Sequence, residues 1–146
     1  MYREIEEVIF IKLIVCLDDK GGMAFNRRRQ SRDRLLCEDV ARMVGDDTLW
    51  VHPYSEPLFA ELGIHISMSE SYLADAEERD YCFCERESLG DFAKKADAVI
   101  IYRWNRRYPG DVFFDIDVTA APWRCVLTEK FVGTSHEEIT KEVYLK

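Results

Sequence analysis

The sequence lacks most of the short motifs that announce a chemistry. It has no P-loop, no G-x-G-x-x-G and no H-x-H-x-D-H cluster. Their absence removes the usual signatures of phosphate-cradling loops, Rossmann-type dinucleotide binding and metallo-β-lactamase-type hydrolysis. The three histidines, His52, His65 and His136, are too scattered to argue a triad or a metal centre. The five cysteines are odd in number, and none forms a C-x-x-C pair. Cys82-x-Cys84 with His65 has no recognised zinc spacing, so no metal site is expected. Most of the cysteines lie in apolar runs, which reads as buried free thiols in a reducing compartment. Long hydrophobic runs are missing too. Val8–Leu17 is about ten residues long and is broken by Lys12, too short to span a bilayer. The acidic start, Met1–Glu7, has no basic n-region. A cytoplasmic location without membrane contact is the expectation. Positive charge is scarce, with 20 Lys and Arg against 28 Asp and Glu and a formal net charge of -8. Such a chain is a poor general binder of nucleic acid, and any polyanion contact needs a local basic patch. There are no internal repeats and no low-complexity linker. The 146 residues are expected to form a single domain, 1–146.

What is present reads as alternating strands and helices. Val8–Leu17 (VIFIKLIVCL) is a continuous β-branched run stopped by Asp18-Asp19-Lys20-Gly21-Gly22, the pattern of a central strand buried on both faces. From Arg34 to Val44 apolar residues fall at helical spacing, at Leu35, Leu36, Val40, Met43 and Val44. Ser31 or Asp33 caps that helix and Gly45 stops it. Thr48–Val51 is a second strand. After the turn His52-Pro53-Tyr54-Ser55, Ser55 is expected to cap a short helix, Glu56–Leu62. Ile64–Met68 and Tyr81–Cys84 are further strands, and the polar stretch Ser69–Asp80 between them has no assigned structure. Ser88 is expected to cap a helix reaching about Lys95, with Leu89, Phe92 and Ala93 inward. Ala98–Trp104 is a strand and Val112–Phe114 a short extended piece. Cys125–Phe131 and Ile139–Leu145 alternate as a half-exposed antiparallel pair. The order implies an α/β fold, mostly parallel, with an antiparallel hairpin at its C-terminal edge.

The richest stretch for function is Asn26–Asp33 (NRRRQSRD). Five arginines lie between Arg27 and Arg34 in an otherwise acidic chain. One reading is a solvated loop paired with acids such as Asp18, Asp19, Glu38 and Asp39. The other is an anion site, in which Arg28, Arg29 and Arg32 fork onto a phosphate or carboxylate. Asn26, Gln30 and Ser31 would then add neutral hydrogen-bonding groups. Asp18-Asp19 reads as a turn rather than a cation site. Trp104-Asn105-Arg106-Arg107-Tyr108 reads as core packing first and as a base-stacking surface second. In Cys84-Glu85 the carboxylate disfavours a reactive thiol.

The order of segments resembles dihydrofolate reductase. Tyr108-Pro109-Gly110-Asp111-Val112-Phe113-Phe114 resembles that family's G-D-T-x-F-P segment, and Trp123 follows at the matching distance. Thr134-Ser135-His136 precedes Ile139–Tyr144 much as the family's last strand is preceded. Tyr81–Trp104 lays on the family's strand–helix–strand without gaps. Lys12–Phe59 lays similarly on its first strand, mobile loop, first helix and second strand. The chain is shorter than the family norm, with the shortfall between Met68 and Tyr81. The resemblance implies a three-layer α/β/α fold with a mostly parallel mixed sheet. It places Asn26–Asp33 at the family's mobile, substrate-covering loop.

Three family motifs are rewritten. The phosphate-holding G-R-x-[ST] turn is His52-Pro53-Tyr54-Ser55, which keeps only the serine, and Pro53 has no N–H to offer an anion. The Gly-Gly step that lets backbone approach the cofactor is Cys84-Glu85. Leu36 aligns with the catalytic carboxylate, leaving Asp33 and Glu38 as neighbouring candidates for a catalytic acid. Ordinary NADPH-dependent folate reduction is therefore not expected, and no cofactor is assigned. Three readings remain. The chain binds a small anionic ligand (nucleotide, phosphate or pterin-like) through Asn26–Asp33; or it is a divergent NADPH-dependent reductase; or it is an interaction module for RNA or a protein partner.

Overall fold

A computed structural model of the chain describes residues 9–146. In chain order the strands and α-helices are β1 (Ile11–Leu17), β2 (Gly22–Phe25), β3 (Arg28–Arg29), α1 (Arg34–Val44), β4 (Thr48–Val51), β5 (His65–Met68), α2 (Tyr72–Asp75), β6 (Tyr81–Cys84), β7 (Ala96–Arg103), β8 (Val112–Phe113), β9 (Arg124–Phe131) and β10 (Ile139–Leu145). The β-branched run forms β1 as expected, starting at Ile11; Val8 lies outside the described residues. The main sheet has the order β5-β4-β6-β1-β7-β10-β9. Every neighbouring pair is parallel except those made by β10, which runs antiparallel to β7 and to β9.

Period-two alternation sends the side chains of β1 to two cores. Ile14 points to the face covered by α1, where Leu36, Cys37, Val40 and Val44 pack with Leu49, Phe83 and Ile100. Leu13 and Val15 point to the other face, against Tyr72, Leu73, Leu89 and Val99. These are the three layers, α/β/α. Residues buried on one helix face recur at helical spacing, and the Asp33 carboxylate caps the first turn of α1. Gly45 ends the helix at φ 58, a left-handed value that glycine adopts without strain.

The structure departs from the sequence expectations at several elements. Asn26–Asp33 is not a plain loop. β2 and β3 form a hairpin in which Ala24 pairs with Arg29 and Phe25 with Arg28. Its two turn residues, Asn26 and Arg27, have φ 51 and 63. Two positive φ values define the tight I′ hairpin turn, whose twist matches that of the strands. β8 pairs with the other edge of β2, making a separate three-stranded sheet. Ser55 and Ser88 do not cap. Their hydroxyls are drawn to Glu85 and Asp115 instead, and the helices after them are short 3-10 turns, Glu56–Leu58 and Gly90–Lys95. The unassigned stretch contains α2, pinned by buried Tyr72 and Leu73. β9 is exposed along nearly its whole length rather than half-exposed. Among the described residues no helix is long and apolar enough to cross a membrane.

Candidate functional site

In a parallel sheet, ligand clefts form beyond the carboxyl ends of the strands. Here β1, β4 and β6 end on Leu17, Val51 and Cys84, and the residues just beyond them meet under the β2–β3 hairpin. The centre of this meeting is an ion pair. Arg29 donates from Nε to Glu85 Oε2 at 2.8 Å and from Nη2 to Oε1 at 3.0 Å. Ser55 Oγ donates to Glu85 Oε1 at 2.7 Å. The Arg29 guanidinium lies 4.3 Å from the centroid of the Tyr54 ring, and that of Arg86 lies 4.1 Å from it. Both guanidinium groups are thus in cation–π range of the same ring. Tyr54 Oη accepts the Arg29 N–H at 3.1 Å, and Arg86 Nη2 lies 3.1 Å from His52 Nδ1. Burial works against the charge on Arg29, but its hydrogen bond to and attraction by Glu85 outweigh it and raise its pKa. Between Arg29, Glu85, Cys16, Asp33, Phe83 and Trp104 only about 20 Å³ remains open. That holds about one water. Burial pushes the Cys37 thiol at this cavity up to about 12, and Cys16 well above its ordinary value, so neither is a nucleophile at neutral pH.

A second cluster lies against the same cavity. Asp33, capping α1, accepts from Leu36 N at 3.2 Å, Thr134 N at 3.0 Å and Ser135 N at 2.9 Å. Its Oδ2 is 3.0 Å from His136 Nδ1. Burial opposes the charge, but these donors hold the carboxyl at about 2. A side chain at Gly133 would collide with this carboxylate, which explains a glycine there. The His136 ring is buried and stacks on Trp104 at 4.4 Å. Its Nε2 faces two hydroxyls, Ser31 Oγ at 3.1 Å and Tyr108 Oη at 2.9 Å.

The other residues singled out in the sequence are spread around these clusters. Asn26 sits at the hairpin tip, its N–H donating to Asp111 Oδ2 at 3.0 Å. Arg28 is exposed and, with Gln30, Phe25 and Tyr108, lines a surface groove of about 330 Å³. Gln30 Nε2 donates to Pro109 O at 3.1 Å, while its buried Oε1 has no partner among the described residues. Arg32 is exposed and, with Arg34, Leu58, Leu62, Thr134 and Ser135, lines an open groove of about 370 Å³ at the start of α1. Glu38 is half-buried on α1 and lines none of these spaces. Asp18 is buried, its carboxylate accepting the N–H groups of Lys20, Gly22 and Tyr108, a turn as expected. Trp104 packs in the core and Tyr108 against His136. Among the described residues no three His, Cys, Asp or Glu side chains are grouped to hold a metal.

Sequence reasoning did not pair Arg29 with Glu85 or bring His136 to Ser31 and Asp33. The partners are 56, 105 and 103 residues apart, and no local pattern links them.

A parallel-centred α/β/α sandwich, closed by an antiparallel C-terminal hairpin and with its cleft at the strand ends, is the dihydrofolate-reductase type of fold. The chain is similar to dihydrofolate reductase from Enterococcus faecalis, whose structure was determined in complex with NADP(H) and RAB-propyl. The TM-score is 0.65 over 93% of this chain and 95% of that one, at 15% identity. No family model matches the sequence, and no curated protein matches it significantly.

Proposed function

We propose that this chain uses the dihydrofolate-reductase fold without ordinary NADPH-dependent folate reduction, and that it binds a small anionic ligand beside the basic run. The observation carrying the first half is the Arg29–Glu85 pair, clamped by Ser55 and stacked on Tyr54, which leaves about 20 Å³ of open space in the cleft. A dinucleotide needs phosphate anchors and close backbone approach. Here an acidic side chain and a proline stand beyond the strand ends, and the arginine's fork is taken by protein. These residues do not fit NADPH.

The second half rests on the open groove beside α1. Arg29 is committed to Glu85, so the arginines of the run that line this groove are Arg32 and its neighbour Arg34, with Thr134 and Ser135 at the rim, while exposed Arg28 lines the other groove beside Tyr108. Guanidinium groups near hydroxyls suit a phosphate or carboxylate. The groove's volume suits a nucleotide or a pterin-like carboxylate. A thermal-shift series with inorganic phosphate, nucleotides and pterin carboxylates tests this. A saturable rise in melting temperature with at least one of them, lost in Arg32→Ala plus Arg34→Ala and weakened by salt, is the expected result. No shift with any probe, or a shift unchanged in the double variant, contradicts it.

A further inference from the structure

We infer that Ser31, His136 and Asp33 form a nucleophilic relay that cleaves short-chain acyl esters. A serine hydroxyl becomes a nucleophile when an imidazole nitrogen takes its proton and a carboxylate holds the imidazole in the required tautomer. Both links are present. Ser31 Oγ lies 3.1 Å from His136 Nε2, and His136 Nδ1 lies 3.0 Å from Asp33 Oδ2. The carboxylate is fixed by the backbone N–H groups of Leu36, Thr134 and Ser135, which keep it ionised. An ionised Asp33 takes the Nδ1–H and leaves the Nε2 lone pair facing the hydroxyls of Ser31 and Tyr108. Trp104 stacks on the ring and fixes its plane.

Exposure follows the same logic. Asp33 and His136 have side chains 0% and 1% exposed, while Ser31 is only half-buried and lines the small cavity. The base and its orienting group are thus dry and the nucleophile is reachable. Tyr108 Oη shares the Nε2 edge at 2.9 Å and holds the ring from a second side. Arg32 lines the cavity with Ser31 and adds a positive charge to its surroundings. The cavity's 20 Å³ admits little more than a methyl group, so the acyl part is acetyl-sized.

The steps balance without a further reagent except water. Ser31 Oγ bonds the acyl carbon as its proton passes to His136 Nε2. The acyl–oxygen bond of the ester breaks, and the departing alkoxide takes that proton. Water then attacks the acyl carbon, giving its proton to Nε2; Ser31 Oγ leaves and recovers it.

The test uses the full chain and a phosphonofluoridate probe, which phosphonylates activated serines with loss of fluoride, read by peptide mass spectrometry. The expected result is an adduct at Ser31, absent in Ser31→Ala and formed about 100-fold or more slowly in Asp33→Asn, which keeps a capping side chain but loses the tautomer control. Turnover of phenyl acetate should exceed that of phenyl hexanoate. No Ser31 adduct on the native chain overturns the inference whatever the variants do. So does equal labelling of a folded Asp33→Asn. Neither readout depends on whether the groove beside Arg34 takes an anion.

Discussion

Asp33 accepts hydrogen bonds from three backbone N–H groups and faces the His136 ring, tying the start of α1 to the segment before β10. Its carboxyl is held at about 2, below the usual carboxylate value of about 3.9. A depressed folded value means that this stability is present above about pH 4 and is lost as the pH falls towards 2. Asp33→Ala should cost about 2 kcal/mol at pH 7, combining the lost cap with two part-buried N–H groups, those of Thr134 and Ser135, left without this acceptor. Asp33→Asn should cost much less. Urea titrations at pH 7 check both, and Asp33→Ala should also show a flatter decline between pH 4 and 2. At Glu85 the concern is an abandoned charge. Glu85→Ala leaves Arg29, 22% exposed, without its carboxylate partner, and should destabilise by about 2 kcal/mol. Arg29→Met combined with Glu85→Met should cost less than Glu85→Ala alone, since no buried charge is then unpaired. Denaturant unfolding of the single and double variants decides it. At this scale the sequence was a partial guide. It marked Asp33 as a cap and as an acid near the cleft, and it marked the unusual Glu85. It could not join either to its partner, because contacts between residues 56 and 103 positions apart leave no local pattern.

The β2–β3 hairpin replaces a loop with paired backbone and turns on two residues of positive φ, Asn26 and Arg27. Asparagine tolerates this conformation, whereas a β-branched residue does not. Asn26→Val should therefore cost about 1–2 kcal/mol and speed amide exchange at Arg29, whose N–H bonds to Tyr54. Unchanged exchange there would contradict the role of the turn. The contrast with α1 shows what a sequence discloses. The residues of α1 repeat at helical spacing between an acidic cap and a glycine, and its bounds fall at Arg34 and Val44 as expected. The hairpin has neither alternation nor a glycine turn, only a run of arginines that reads as a loop. α2 is four residues long and is held by Tyr72 and Leu73 packing inward, not by helical propensity, so the acidic residues around it conceal it. Ser55 and Ser88 look like caps, but distant carboxylates compete for their hydroxyls.

Across the whole molecule, the fold class follows from the succession of elements. A buried β-branched strand, helical spacing, more strands and a closing antiparallel pair leave few right-handed arrangements of a mostly parallel sheet. The architecture was legible for that reason, and the resemblance in segment order agrees with a sheet that superposes on a reductase at 15% identity. The filling of the cleft was legible only as missing motifs. Cys84-Glu85 and His52–Ser55 pointed to lost cofactor anchors, but only the folded chain shows Arg29 reaching across to close the space. The most direct measurement is calorimetric titration of the native chain with NADPH. No saturable heat is expected, because Arg29, Glu85, Tyr54 and Ser55 already satisfy one another beyond the strand ends. Stoichiometric one-to-one binding of NADPH would contradict it.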